Sequence, residues 1–308
     1  MSEPGIAMTD QAAAERRQGV AITAAAFVIW GLFPLYWHLL KAVPSPLIIA
    51  HRIVWSTLLV VGWLLLTSRL AWLRRIAEQP RALPLLALSG LAIGSNWAVY
   101  IWAVNAGHVI EASLGYYINP LVSVLLGVLV LKERLRPVQW LAIACAAVGV
   151  AWLTWVAGTV PWIALSLALS FGLYGLLRKV VAVDAVSGLG IESLYLFLPA
   201  LGFVLWSEQG HGGGFVQGWS LRDDFLLAFG GVVTAVPLIA FAYGVRRIPL
   251  SLVGVLQYVT PTLQLLLGVW FFHEPFDPAR ALGFVAIWLG LLLYLSEGVW
   301  QSRRSAPL

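Results

Sequence analysis

Four ionisable side chains stand inside long apolar runs of this sequence: His51 and Arg52 in IIAHRIVWSTLLVV, Glu111 in HVIEASLGYYINPL, and Glu192 in SGLGIESLYLFL. An ionisable group at membrane depth costs roughly 2.5–3.5 kcal/mol on insertion scales and therefore needs a reason to be there. Arg52 is the group suited to receive an anion, with His51 beside it. Neighbours on a helix point about 100° apart, so the two cannot face one point squarely. Glu111, Gly115, Asn119 and Ser123 follow one another at i, i+4 and share a helix face. Gln257, Thr260 and Gln264 form a second such face. Pro120 and Pro261 interrupt these two stretches, each removing one backbone hydrogen bond and freeing a carbonyl beside Tyr116-Tyr117 or Gln257-Tyr258. Asn96, Tyr100, Trp102 and Asn105 add hydrogen bonds and aromatic faces. The substrate-binding set expected from these residues is His51, Arg52, Asn96, Tyr100, Trp102, Glu111, Tyr116, Asn119, Glu192, Gln257, Tyr258 and Gln264, with Pro120 and Pro261 as helix kinks.

The elements that position this set are transmembrane helices. Of 308 residues, 60% are hydrophobic and 11% charged, with mean hydropathy +0.87. Charged residues usually approach a quarter of a soluble domain. A hydrocarbon layer of about 30 Å takes roughly 20 helical residues. Ten spans follow, near 19–40, 46–66, 83–104, 109–131, 137–156, 160–178, 186–206, 224–245, 250–272 and 278–297. The expected fold is all-α and transmembrane. Residues 1–18 and 299–308 read as cytoplasmic tails, and 67–82 and 207–223 as the longer loops, the second floppy and carrying His211. Trp63, Trp72, Trp140 and Trp300 read as part of an interfacial belt.

A cytoplasmic N-terminus puts fifteen Lys/Arg inside, among them Arg178 and Lys179, and three outside, Lys41, Arg222 and Arg280; with Arg52 in a span this accounts for all nineteen. The positive-inside rule then expects both termini in the cytoplasm of an inner, plasma membrane. On this orientation Arg52 and Glu192 each lie roughly 9 Å from opposite faces, about 12 Å apart in height. Glu111, at nearly the depth of Arg52, is the better counter-ion.

The stretch YYINPLVSVLLGVLVLKERLRP (Tyr116 to Pro137) returns as QYVTPTLQLLLGVWFFHEPFDP (Gln257 to Pro278), 141 positions on. The same offset puts Trp30-Gly31 on Phe171-Gly172, Tyr100 on Phe241 and Gly149 on Gly290. A constant offset means duplication. With five spans per copy (19–157 and 160–298), the copies enter the membrane from opposite sides, an arrangement common in transporters. Glu133 and Glu274, equivalent under the offset, would each cap the N-terminus of the helix that follows.

The stretches RQGV, IWG, HRIVWS, NWAVYIWAVNAGHVIEASLGYYINPL, YGLLRK and QYVTPTL resemble the RarD group of EamA-type transporters, in the drug/metabolite transporter superfamily, over essentially the whole chain. The resemblance implies ten transmembrane helices in two inverted five-helix halves with a substrate cavity between them. It assigns no residue roles. HRIVWS has ESLYLF at the paired position, so the halves differ chemically.

The expected function is secondary transport of a small organic metabolite or drug by alternating access, with proton or counter-substrate coupling through Glu192, Glu111 or His51. No Walker A loop is present to bring ATP, and one cysteine, Cys145, excludes disulfides and Cys metal clusters. The expected partners are the small-molecule substrate and the lipid bilayer, with no nucleic acid, metal or cofactor. A catalytic role is not expected: His273-Glu274-Pro275 lacks the second histidine of a zinc protease motif. A non-transporting membrane receptor or scaffold is the alternative.

Overall fold

A computed structural model describes residues 3–105, 109–158, 162–216, 218–271, 273 and 278–304. The described chain is helical, with no strand. In order the helices are α1 (Glu3–His38), α2 (Ser45–Ser68), α3 (Ala71–Ala77), α4 (Ala82–Asn105), α5 (Val109–Leu129) and α6 (Pro137–Ala157). They continue with α7 (Trp162–Val180), α8 (Ala185–Glu208), α9 (Leu221–Val245), α10 (Leu250–Gln257), α11 (Val259–Trp270) and α12 (Pro278–Arg304). Among the described residues, eight segments are long and apolar enough to cross a bilayer. The expected spans 109–131 and 278–297 fall on shorter apolar stretches, Leu114–Leu129 and Ala281–Glu297.

Local chemistry explains several ends. Asp184 accepts from the Val186 and Ser187 amides and caps α8. Pro137 opens α6, and Gly158 follows its last turn at φ 73°, the left-handed conformation glycine adopts freely. Helix α1 begins at Glu3, inside the segment read as a tail. Alanine has the highest intrinsic helix propensity.

The prolines act unequally. The α10–α11 segment breaks at Tyr258, three residues before Pro261, and the Tyr258 amide turns to the Val255 carbonyl at 3.3 Å. Helix α5 runs through Pro120 without a break.

Both long loops are more ordered than their composition suggests. The first contains α3, which buries Trp72 at 1% exposure, so this tryptophan belongs to the core and not to an interfacial belt. Trp63 and Trp140 are exposed, and the side chain of Trp300 lies outside the described residues. In the glycine-rich loop the Glu208 carboxylate accepts from the Gly214 and Phe215 amides, and His211 stacks on Trp206 with centroids 4.3 Å apart. Phe215 and Trp219 pack with Leu40, Val43, Leu47 and Leu227. A floppy loop is therefore corrected to a packed cap.

Helix α1 packs on α9 and α11, and α7 on α4 and α5; α2 meets α8 and α9, and α8 meets α2 and α4; α5 pairs with α10 and α6 with α12. The close approaches recur at the offset of 141. A Cβ on Gly149 would stand 2.5 Å from the Gly283 carbonyl oxygen, and one on Gly290 2.5 Å from that of Ala142. One on Gly31 would stand 2.8 Å from the side chain of Leu263, and one on Gly172 2.8 Å from that of Val122. Glycine lets the backbones of facing helices touch, as membrane helix pairs require.

At the end of the bundle where α1 begins, polar side chains close the backbone. Lys179 donates to the carbonyls of Val245 and Ile248, and Arg246 to that of Val183. Glu133 accepts from the Leu250 and Ser251 amides at 2.6 and 2.9 Å. It caps α10, 117 residues away, and not the following helix α6. Glu274 lies outside the described residues.

Candidate functional site

A cavity of about 300 Å³ lies where α1, α2, α4, α5, α7, α9, α10 and α11 converge. Helix α1 lines it with Phe27, Trp30, Phe33, Pro34 and Trp37, and α4 with Ile93, Asn96, Trp97 and Tyr100. Both sets repeat at three- and four-residue steps, so each is one helix face. Tyr116 and Asn119 come from α5, Gln257 from α10, and Thr260, Pro261 and Gln264 from α11. Helix α2 contributes Arg52, α7 Phe171, and α9 Thr234 and Leu238. Five pairs in this wall are equivalent at the offset of 141: Trp30 and Phe171, Ile93 and Thr234, Trp97 and Leu238, Tyr116 and Gln257, Asn119 and Thr260.

Arg52 is the one cation among these lining residues, and none of them carries a carboxylate. Its Nε donates to the Thr234 hydroxyl at 2.9 Å. Its guanidinium carbon lies 4.6 Å from the Trp37 ring centroid, 5.3 Å from that of Trp97 and 5.9 Å from that of Phe33. Ring faces attract a cation, which offsets part of its lost hydration. Tyr100 and Tyr116 meet edge to face nearby, centroids 5.9 Å apart.

The amide side chains brace the walls as well as line them. Asn96 donates to the Leu167 carbonyl and Ser170 hydroxyl of α7 at 2.8 and 3.0 Å. Gln264 donates to the Trp30 carbonyl, Thr260 to that of Phe27, and Ser123 to Gln257 Oε1. Tyr117 donates to the Pro261 carbonyl at 3.2 Å. Interhelical bonds of this kind contribute on the order of 1 kcal/mol each in membranes.

Toward the end of the bundle where α1 begins, the cavity floor is aromatic. Phe27, Trp30, Phe171, Phe241 and Tyr174 touch in succession, and the last two stack at 5.7 Å. Beneath them Arg178, at 0% exposure, reaches Glu192 Oε1 at 3.4 Å and donates to the Ala185 carbonyl at 3.0 Å. Ser89 donates to the same carboxylate oxygen at 2.6 Å. Arg178, one of the fifteen basic residues expected on the cytoplasmic side, is fully buried in the core.

Of the expected set, Arg52, Asn96, Tyr100, Tyr116, Asn119, Gln257 and Gln264 line the cavity, together with Pro261. The structure puts four others elsewhere. His51 turns away from Arg52 and packs on Phe215 and Trp219, as the 100° step requires. Glu192 is held by Arg178 and Ser89 below the floor. Tyr258 is buried with Leu114, Tyr117 and Phe284, and Trp102 is half exposed beside Trp162. The side chains of Glu111 and Asn105 lie outside the described residues. The aromatic wall of α1, Trp97 and Thr234 was not anticipated. Thr260 was available from Asn119 by the offset of 141, and the α1 wall from the 27, 30, 34, 37 spacing.

Comparison with known proteins agrees with this architecture. The EamA-like transporter family matches the chain twice, over residues 17–155 and 159–296. An uncharacterized transporter of Pseudomonas aeruginosa is 46% identical over 296 residues, 96% of this chain and 99% of that one. Protein RarD of Streptomyces exfoliatus is 45% identical over 292 residues (94% and 92%), and protein RarD of Escherichia coli 39% over 294 (96% and 99%). A solved crystal structure shares the fold with TM-score 0.69 at 23% identity, covering 90% of this chain and 96% of that one. The chain is a RarD-type member of the EamA-like transporter family.

Proposed function

We propose that this membrane transporter is a secondary transporter that moves a small organic metabolite or drug across the inner membrane by alternating access. The observation that carries the reading is the cavity of about 300 Å³, walled by helices of both sequence repeats and holding Arg52 without a carboxylate among its described lining residues. A cation in such a place is expensive unless a ligand or a pathway uses it.

In this reading the chain has ten spans in two inverted halves, 19–157 and 160–298, with both termini in the cytoplasm. The five lining pairs and the recurring glycine contacts at the offset of 141 support an approximate two-fold relation between halves. The aromatic floor and the Arg178–Glu192 pair then close the cytoplasmic side in this conformation, and the cavity belongs to the outward-facing half of the cycle. Rocking the halves about the cavity would open the floor and close the opposite end. Coupling to a proton or a counter-substrate would act through breaking of the Arg178–Glu192 pair.

Flux of a radiolabelled metabolite panel into proteoliposomes tests the reading, and no flux of any compound by folded protein would sink it in favour of a receptor. Reporter fusions at the C-terminus and at Gly213 test the orientation. The first should be active only in a cytoplasmic form and the second only in an external form.

A further inference from the structure

We infer that the cavity ligand is a small organic monoanion, a carboxylate gripped end-on by Arg52 with a flat apolar or aromatic body lying among the tryptophans; calling it cargo rests on the transport reading above. Arginine keeps its charge at any physiological pH and offers five N–H donors in a planar fork. Here Nε is committed to Thr234, which holds the plane of the group. The two terminal nitrogens have no hydrogen-bond partner among the described residues, and they are not sealed from the cavity as the unpartnered Nε of Arg178 is sealed in the core. They form a fork matched to the two oxygens of a carboxylate.

The rings around this fork define the rest of the ligand. Trp37 and Trp97 hold the guanidinium, and Trp30, Phe171, Tyr100 and Tyr116 continue the wall. Aromatic walls favour an apolar or π-bearing body through stacked and edge-to-face contacts. A volume of about 300 Å³ is at the small end of ligand sites, which run roughly 300–1,000 Å³. It suits one ring or a fused pair. No second cation is among the described lining residues, so a dianion would leave a charge unmatched among these rings. No described lining residue carries a carboxylate, so an ammonium group, alone or in a zwitterion, would find no counter-charge among them.

Equilibrium binding of radiolabelled phenylacetate to the purified full chain in nanodiscs tests this, with benzoate, phenylacetamide, phenethylamine and phenylalanine as competitors. Benzoate should compete. The neutral amide should be about tenfold or more weaker, because it exchanges a charge-assisted fork for a neutral contact. The amine and the zwitterion should not compete at concentrations where benzoate does. Arg52→Lys keeps the charge but loses the fork and should weaken phenylacetate by about tenfold. Arg52→Met should remove the preference for the acid over the amide. Thermal unfolding of each variant reports folding, and the wild-type competitor series stands without them. No phenylacetate binding to folded wild type, or an amine or amide competing as well as benzoate, overturns the inference. So does unchanged binding by a folded Arg52→Met. Binding of phenylacetate with no flux would overturn the transport reading alone, whereas flux of amines without carboxylates would overturn the present inference alone.

Discussion

Trp30 and Phe171 meet edge to face with ring centroids 5.8 Å apart, and each occupies in one sequence repeat the position the other holds in its own. Equivalent positions of the two sequence repeats are thus in direct contact. The contact lies in the cavity wall, joining α1 to α7 above the stacked Tyr174 and Phe241. Aromatic pairs contribute about 0.5–1.5 kcal/mol beyond their buried area. A double-mutant cycle of Trp30→Ala and Phe171→Ala should therefore show a coupling of about 1 kcal/mol in detergent unfolding. Additive losses would mean that the rings are held independently.

The Arg178–Glu192 pair should be far more sensitive to loss of one partner than of both. Glu192→Gln leaves a fully buried guanidinium without its counter-charge, which should cost about 3–5 kcal/mol. Arg178→Met combined with Glu192→Leu should recover most of that stability, since neither charge remains. Thermal unfolding of the single and double variants reads the difference. A double variant no more stable than Glu192→Gln would show that the pair is not the source of the loss.

Close backbone contact between α6 and α12 should fail in the same way at its two equivalent points. A Cβ at Gly149 or at Gly290 meets a carbonyl oxygen at 2.5 Å, and a backbone atom cannot swing aside as a side chain can. Each Gly→Ala change should cost about 1–3 kcal/mol, the range for overpacking. Comparable losses at the two sites are expected in unfolding measurements. A neutral substitution at either would argue that the helices separate easily there.

Glu133 should stabilise a helix in the other sequence repeat. Glu133→Ala removes the acceptor for the Leu250 and Ser251 amides and should cost about 1 kcal/mol, the usual loss of an N-cap. Hydrogen exchange should quicken at these two amides and remain unchanged at the first turn of α6. Faster exchange in α6 alone would restore the local cap expected from sequence.

Asp184 makes a pH-dependent contribution. Burial raises the pKa of its carboxyl, but hydrogen bonds from the Ser187 side chain and the Ser187 and Val186 amides, with the Arg75 charge, outweigh this and hold it below its ordinary value. A depressed carboxyl pKa contributes stability above the unfolded value and loses it as pH falls through the folded one. Wild type should therefore exceed Asp184→Asn in thermal stability at neutral pH, and the gap should narrow below about pH 4. A gap that widens on acidification would contradict this.

Sequence alone determined the all-helical character of the chain and the offset that relates its two repeats. Apolar runs of helical length can be satisfied in lipid only as helices, because every backbone donor needs a partner. That made the spans legible, and the offset of 141 paired Trp30 with Phe171 and Gly149 with Gly290 before any contact was known. Helical spacing also showed that Asn119 and Gln257 lie on polar faces. It could not say which neighbour those faces meet. His51 and Arg52 are adjacent in sequence, yet one packs under the loop at Phe215 and the other enters the cavity, because the rotation of α2 against α8 and α9 assigns them. Glu192 found Arg178, and Glu133 found the start of α10, across distances that spacing does not encode. A polar side chain in a bundle is claimed by whichever partner the packing brings within about 3 Å, and only the tertiary structure decides that partner.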